Sequence, residues 1–147
     1  MKHPYRLLAA VAAAFLLSAA ARAAAWTEDY SKALETAKKE HKLLLLDFTG
    51  SDWCIWCKRI DADVFETQKF KDFADQKLVL VTVDFPRQAK QADAVKAQNK
   101  ALNDKYGIEG FPTLIVLDGD EKVVFKQVGY EEGGPDAFIA KFPKASK

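Results

Sequence analysis

Apolar residues along this chain follow two rhythms: short unbroken runs, and longer stretches in which they recur every three or four positions. From Thr27 to His41, Tyr30, Leu34 and Ala37 mark one face, while Lys32, Glu35, Lys38, Lys39 and Glu40 fill the rest, which predicts a surface helix. Lys42 to Phe48 lacks the alternation of a half-exposed strand, so it suits a central strand covered on both faces. After the polar turn Thr49-Gly50-Ser51-Asp52, two cysteines open a second helix expected to run to about Phe65, and a short helix follows from Thr67 to Asp75. Leu78 to Asp84 reads as a second buried strand. Ala89 to Tyr106 is polar and Ala-rich, with Val95, Leu102 and Tyr106 as inward positions, and predicts a helix with a loose beginning that Gly107 ends. Thr113 to Leu117 and Lys122 to Val128 form a hairpin across Asp118-Gly119-Asp120. Phe138, Ile139 and Phe142 mark a closing helix after Pro135. Two strand–helix–strand crossovers imply a parallel portion with helices on both faces, and the hairpin adds an antiparallel strand. The expected fold is α/β with a mixed four-stranded central sheet.

The first 25 residues stand apart from this pattern. Lys2, His3 and Arg6 make a basic start, Leu7 to Ala21 is apolar, and Ala23-Ala24-Ala25 offers small residues for cleavage before Trp26, the arrangement of a secretory signal peptide. An apolar run of about 15 residues is short of the roughly 20 needed to cross a bilayer. No cysteine follows it to accept a lipid. We therefore expect a leader over residues 1–25 and one domain over residues 26–147, since no repeat, low-complexity tract or long linker divides the remainder. The expected location is periplasmic or secreted. The whole chain has 22 basic and 21 acidic residues; removing Lys2, Arg6 and Arg22 with the leader leaves 19 against 21, a net charge of −2. That balance argues against nucleic acid as a partner, and the 49% share of apolar and aromatic residues excludes a disordered tail.

Chemistry concentrates at Cys54 and Cys57, the only cysteines. Two cysteines exclude a disulfide-dense scaffold. At this spacing on the first turn of a helix they share a side, and their sulfurs can bond and part with little backbone movement. Unpaired N–H groups at the helix start favour thiolate at Cys54, which makes it the expected nucleophile, with Cys57 as the resolving thiol. Two other readings stay open. A structural disulfide here would close a very short loop and contribute on the order of 2 kcal/mol. A zinc site would be only half built, because His41 is the single histidine outside the leader. Lys58 in place of a histidine excludes covalent haem attachment. No metal and no cofactor are expected.

Leu45-Leu46-Asp47-Phe48, then Trp53-Cys54-Ile55-Trp56-Cys57-Lys58, then Tyr106-Gly107-Ile108-Glu109-Gly110-Phe111-Pro112-Thr113, and finally Gly129, occur in the order and nearly at the spacings of thioredoxin. Over about residues 42–142 the chain resembles that family, above all its secreted single-domain members and the periplasmic reductase domain of transmembrane electron-transfer proteins. The resemblance implies a thioredoxin fold and thiol–disulfide oxidoreductase activity, most simply the reduction of protein disulfides. An oxidase or isomerase with the same residues, and a non-catalytic peptide-binding module, are the alternatives. It also implies that Pro112 is cis and packs beside a redox-active Cys54–Cys57 disulfide. The backbone of Phe111 would then pair with an extended substrate. Trp53 would flank the site, or else serve as an ordinary core aromatic; Lys58 would add charge near the thiols, or simply be solvated. Asp47 matches the buried proton relay of thioredoxin but precedes Cys54 by seven positions rather than six, so either the Thr49–Asp52 turn absorbs the offset or Asp47 points elsewhere. Ile55-Trp56 supplies no imidazole to stabilise a thiolate, which favours a milder, more reducing site, and Trp56 would shape the substrate surface. Expected partners are protein or small-molecule disulfides and thiols, and a redox partner protein, membrane-bound or not. The protein is expected to act as a monomer.

Overall fold

The computed structural model describes residues 24–143, and the expected leader lies almost wholly outside them. The elements are β1 (Trp26–Thr27), α1 (Tyr30–Glu40), β2 (Leu43–Thr49), α2 (Ile55–Ile60), a π-helical turn (Asp61–Phe65), α3 (Gln68–Lys77), β3 (Leu78–Asp84), α4 (Asp93–Tyr106), β4 (Thr113–Leu117), β5 (Val123–Val128) and α5 (Gly134–Ile139). Local chemistry sets the helix ends. Asp29 caps α1 by accepting from the Lys32 N–H at 2.9 Å, and Thr67 caps α3 by accepting from the Phe70 N–H at 3.3 Å. Gly107 ends α4 in the left-handed conformation with φ of 58°, as the sequence suggests.

The sheet has five strands in the order β1-β3-β2-β4-β5, one more than expected. The added strand is the two-residue β1, which pairs in parallel with Leu80 and Val81 and is too short to carry a period. A second correction concerns direction. β2 and β3 are parallel, but β4 runs antiparallel to β2, so the connection through α4 does not bring in a parallel strand. An apolar strand covered on both faces reads the same in either direction, and its direction is settled only by pairing. The helix expected from the cysteines to Phe65 also divides after Ile60. There the chain widens into a π turn, closed by the Glu66 N–H donating to the Asp61 carbonyl at 2.8 Å.

Alternation along β2 splits the interior. Leu44, Leu46 and Phe48 pack with Ala33, Ala37 and Leu102 on the α1–α4 side. Leu45 packs with Ile60, Val64, Phe70, Leu114 and Phe138 on the α2–α3–α5 side. Each fully buried side chain of this size contributes roughly 1.5–3 kcal/mol. The two cores bury β2 on both faces, and the cysteines follow its C-terminal end after one turn.

Candidate active site

Beyond Thr49 the chain turns back at Gly50, whose carbonyl accepts from the N–H groups of Trp53 and Cys54 at 3.2 and 2.8 Å. Glycine is required by close approach: a Cβ there would lie 2.4 Å from the Trp53 indole. The connection after β3 braces the turn from the other side. The Phe85 N–H donates to the Thr49 carbonyl at 2.9 Å, and Ser51 donates to the Asp84 carboxylate through its N–H at 2.9 Å and its hydroxyl at 2.5 Å. Asp52 accepts from the N–H groups of Arg87, Gln88 and Ala89 at 3.0, 2.7 and 2.9 Å. These three donors hold its carboxyl down at about 2.

Trp53 joins this frame to the rest of the site. Its Nε1–H donates to the Phe85 carbonyl at 2.9 Å, its ring meets Phe111 edge-on at 5.7 Å, and the Arg87 guanidinium lies 3.9 Å over it. Trp53 is half-buried and directly precedes Cys54. Cys54 is the N-cap of α2; its Sγ accepts from the Cys57 N–H at 3.2 Å and is disulfide-bonded to Cys57, with Cα atoms 5.3 Å apart. Both cysteines are buried, at 5% and 1% exposure, whereas Ile55 and Trp56 between them are 74% and 57% exposed. Lys58 is exposed.

The Phe111–Pro112 bond is cis, as the family resemblance implied, and Pro112 is buried. Among the described residues the Phe111 N–H and carbonyl have no backbone partner. The Pro112 carbonyl accepts from the Gly129 N–H at 2.7 Å, which brings the end of β5 to the site. There Tyr130 stacks on Trp56, with ring centroids 5.8 Å apart and planes inclined by 16°. The Tyr130 hydroxyl donates to Asp63 Oδ2 at 2.6 Å, and Arg59 Nε donates to the same oxygen at 2.7 Å. Trp56, Phe111, Gly129, Tyr130 and Glu132 line a groove of about 380 Å³.

Asp47 shares the strand face of Leu45, hence the α2 side of the sheet, so the seven-residue offset does not turn it away from the cysteine helix. It is buried, and its Oδ1 has no hydrogen-bond partner among the described residues. Burial raises its pKa well above the usual carboxylate value, and the charges of Asp61 and Asp84 add to the effect. Asp61, one turn beyond Cys57, is itself raised by burial and by Glu66. Sequence reasoning did not select Tyr130, Arg87, Asp61 or Asp63. Tyr130 had a signal in its place next to Gly129, and Asp61 and Asp63 in theirs just beyond Cys57; Arg87 reaches the site only through tertiary packing.

The family described as thioredoxin-like domain matches residues 30–146. The chain belongs to the thioredoxin-like family. This thioredoxin-like protein is 38% identical over 120 residues to the disulfide bond reductase DsbH of Chlamydia pneumoniae, covering 82% of this chain and 72% of that one. A solved DsbH oxidoreductase superposes with a TM-score of 0.76 at 36% identity, over 82% of both chains. The reduced C-terminal domain of Neisseria meningitidis DsbD superposes with a TM-score of 0.55 at 29% identity, over 75% of this chain and 88% of that one. With its paired cysteines inside the matched span, the thioredoxin-like chain is a thiol–disulfide oxidoreductase.

Proposed function

We propose that this oxidoreductase works as a monomer outside the cytoplasm as a reductase of protein disulfides, with residues 26–147 as its functional domain. The observation that carries the reading is the setting of Cys54: its sulfur takes the Cys57 N–H, and an open apolar surface adjoins it. In the reducing direction the Cys54 thiolate attacks one sulfur of a substrate disulfide. That bond breaks, the departing sulfur takes up a proton, and a mixed disulfide joins Cys54 to the substrate. Cys57 then loses its proton and attacks Cys54 Sγ; the Cys54–substrate bond breaks, and the second substrate sulfur leaves as a thiolate that takes up a proton from solvent. Two electrons have passed to the substrate, and the enzyme is left with the Cys54–Cys57 disulfide. Asp47, on the cysteine side of the sheet, with an unpartnered oxygen and a raised pKa, is suited to accept the Cys57 proton.

Substrate pairs with the free backbone of Phe111 beside Pro112, and Trp53 and Trp56 border it. The absence of an imidazole between the cysteines supports the reducing direction, as does similarity to a protein named a disulfide bond reductase. Similarity to a DsbD domain supports a second thiol protein as the electron donor that restores the dithiol, and the resemblance to reductase domains of transmembrane electron-transfer proteins points to a membrane-bound one. Small-molecule disulfides would be reduced by the same exchange. The N-terminal leader pattern supports the extracytoplasmic location, where thiols meet oxidants.

Replacing Cys57 with Ser tests the reading. The variant removes the resolving thiol, so Cys54 should remain bound to its substrates as stable mixed disulfides that can be isolated from the native compartment. A Cys54→Ser variant should yield none. If the Cys57→Ser protein also yields none, protein disulfides are not the substrates.

A further inference from the structure

We infer that the Trp56–Tyr130 wall and Glu132 select the protein disulfides reduced at this site: segments with an aromatic or large aliphatic side chain next to the reacting cysteine and a basic residue beside it. The inference rests on the reductase reading and adds the substrate class to it.

Exposed Ile55 and Trp56, side by side between the two cysteines, put apolar surface at the reacting sulfurs that a bound segment can cover. One face of Trp56 is already taken by the nearly parallel Tyr130 ring, and Tyr130 is fixed in turn by the Asp63 carboxylate, which Arg59 also holds. The tie crosses from α2 through the π turn to the loop after β5, so the wall stands before any substrate arrives and little ordering is left for binding. Phe111 forms another side of the groove, which encloses about 380 Å³, and at Gly129 a Cβ would meet nothing within 4 Å, so that side of the groove is open. An extended strand laid along the Phe111 backbone next to the cysteines would present such a side chain to this wall.

Charge adds the second element. Glu131 is engaged by Lys141 at 2.5 Å, whereas exposed Glu132 lines the groove with no ion pair among the described residues. At the opposite flank the cation is Arg87, stacked on Trp53. A substrate cation is therefore attracted to the Trp56–Tyr130 flank and repelled from the Trp53 flank.

A set of short peptides, each with one disulfide, tests this. The flanking residue is Trp, Leu or Ser, the next is Lys or Glu, and kcat/KM for reduction is measured with excess chemical reductant to recycle the enzyme. An aromatic contact corresponds to roughly threefold to tenfold preference for Trp over Ser. An exposed charge pair corresponds to about twofold to fivefold for Lys over Glu. Trp56→Ser should abolish the first preference, and Glu132→Lys should invert the second. Both residues are exposed, and each ratio is taken within one variant, so changes in thiol reactivity cancel. Equal rates across all peptides, or preferences that survive both substitutions, would overturn the selectivity and leave the reductase standing. If no peptide is reduced, the reductase reading itself fails and the selectivity with it.

Discussion

Asp47 sits between Leu46 and Phe48 on a strand buried from Leu44 to Thr49, and its cost to the fold follows directly from that position. The unfolded chain releases the Asp47 proton near the ordinary value of 3.8, whereas the folded chain, with the carboxyl buried and facing the charges of Asp61 and Asp84, keeps it to higher pH. Between those two points the folded state holds the extra proton, so stability falls as pH rises, with a slope approaching about 1.4 kcal/mol per pH unit. Below 3.8 the effect vanishes. Chemical denaturation of the oxidised protein across this range should show the decline, and Asp47→Asn should flatten it. Parallel profiles for the two proteins would mean that the carboxyl is ionised in the fold. In the proposed resolving step this carboxyl would take up the Cys57 proton, so a group that lowers stability stands where the proposed chemistry uses it.

The turn that presents the cysteines has little apolar burial of its own and is held by polar ties to the connection between β3 and α4. Asp52 is the strongest of them, with three backbone donors. Its lowered pKa has the opposite sign to that of Asp47: the tie is complete above the unfolded value of 3.8 and is lost as pH falls toward about 2. Hydrogen exchange of the Arg87, Gln88 and Ala89 amides should therefore accelerate in that acid window, and in Asp52→Ala it should be fast already at neutral pH. Unchanged exchange would show that Ser51 and Trp53 suffice to hold the connection.

At this scale the sequence was informative where burial is two-sided. β3 and β4 run over the residues that their apolar runs mark. The apolar pattern misleads where structure depends on pairing or on hydrogen-bond width: it leaves the two residues of β1 unmarked, implies a parallel β4, and runs one helix through the π turn at Asp61. A shift from i+4 to i+5 bonding moves the apolar positions too little to be seen in so short a segment.

For the molecule as a whole, the layered sheet places three distant stretches around one disulfide: the turn after β2, the cis Phe111–Pro112 bond before β4, and the Gly129–Tyr130 segment after β5. The motif residues in the first two were legible because their chemistry is unusual, a paired Cys and a Phe-Pro-Thr opening a strand. Tyr130 and its tie to Asp63 were not, because a single Tyr and a single Asp look like any surface residues until the fold brings them together.

Whether this assembly delivers electrons to disulfides depends on the equilibrium potential of the Cys54–Cys57 pair. The purified protein is equilibrated with a graded series of reduced and oxidised glutathione, and the fraction of dithiol is read at each ratio. The expected potential lies near that of thioredoxin, about −270 mV; a value near −120 mV, that of a strong oxidant, would mean that the pair oxidises its substrates instead.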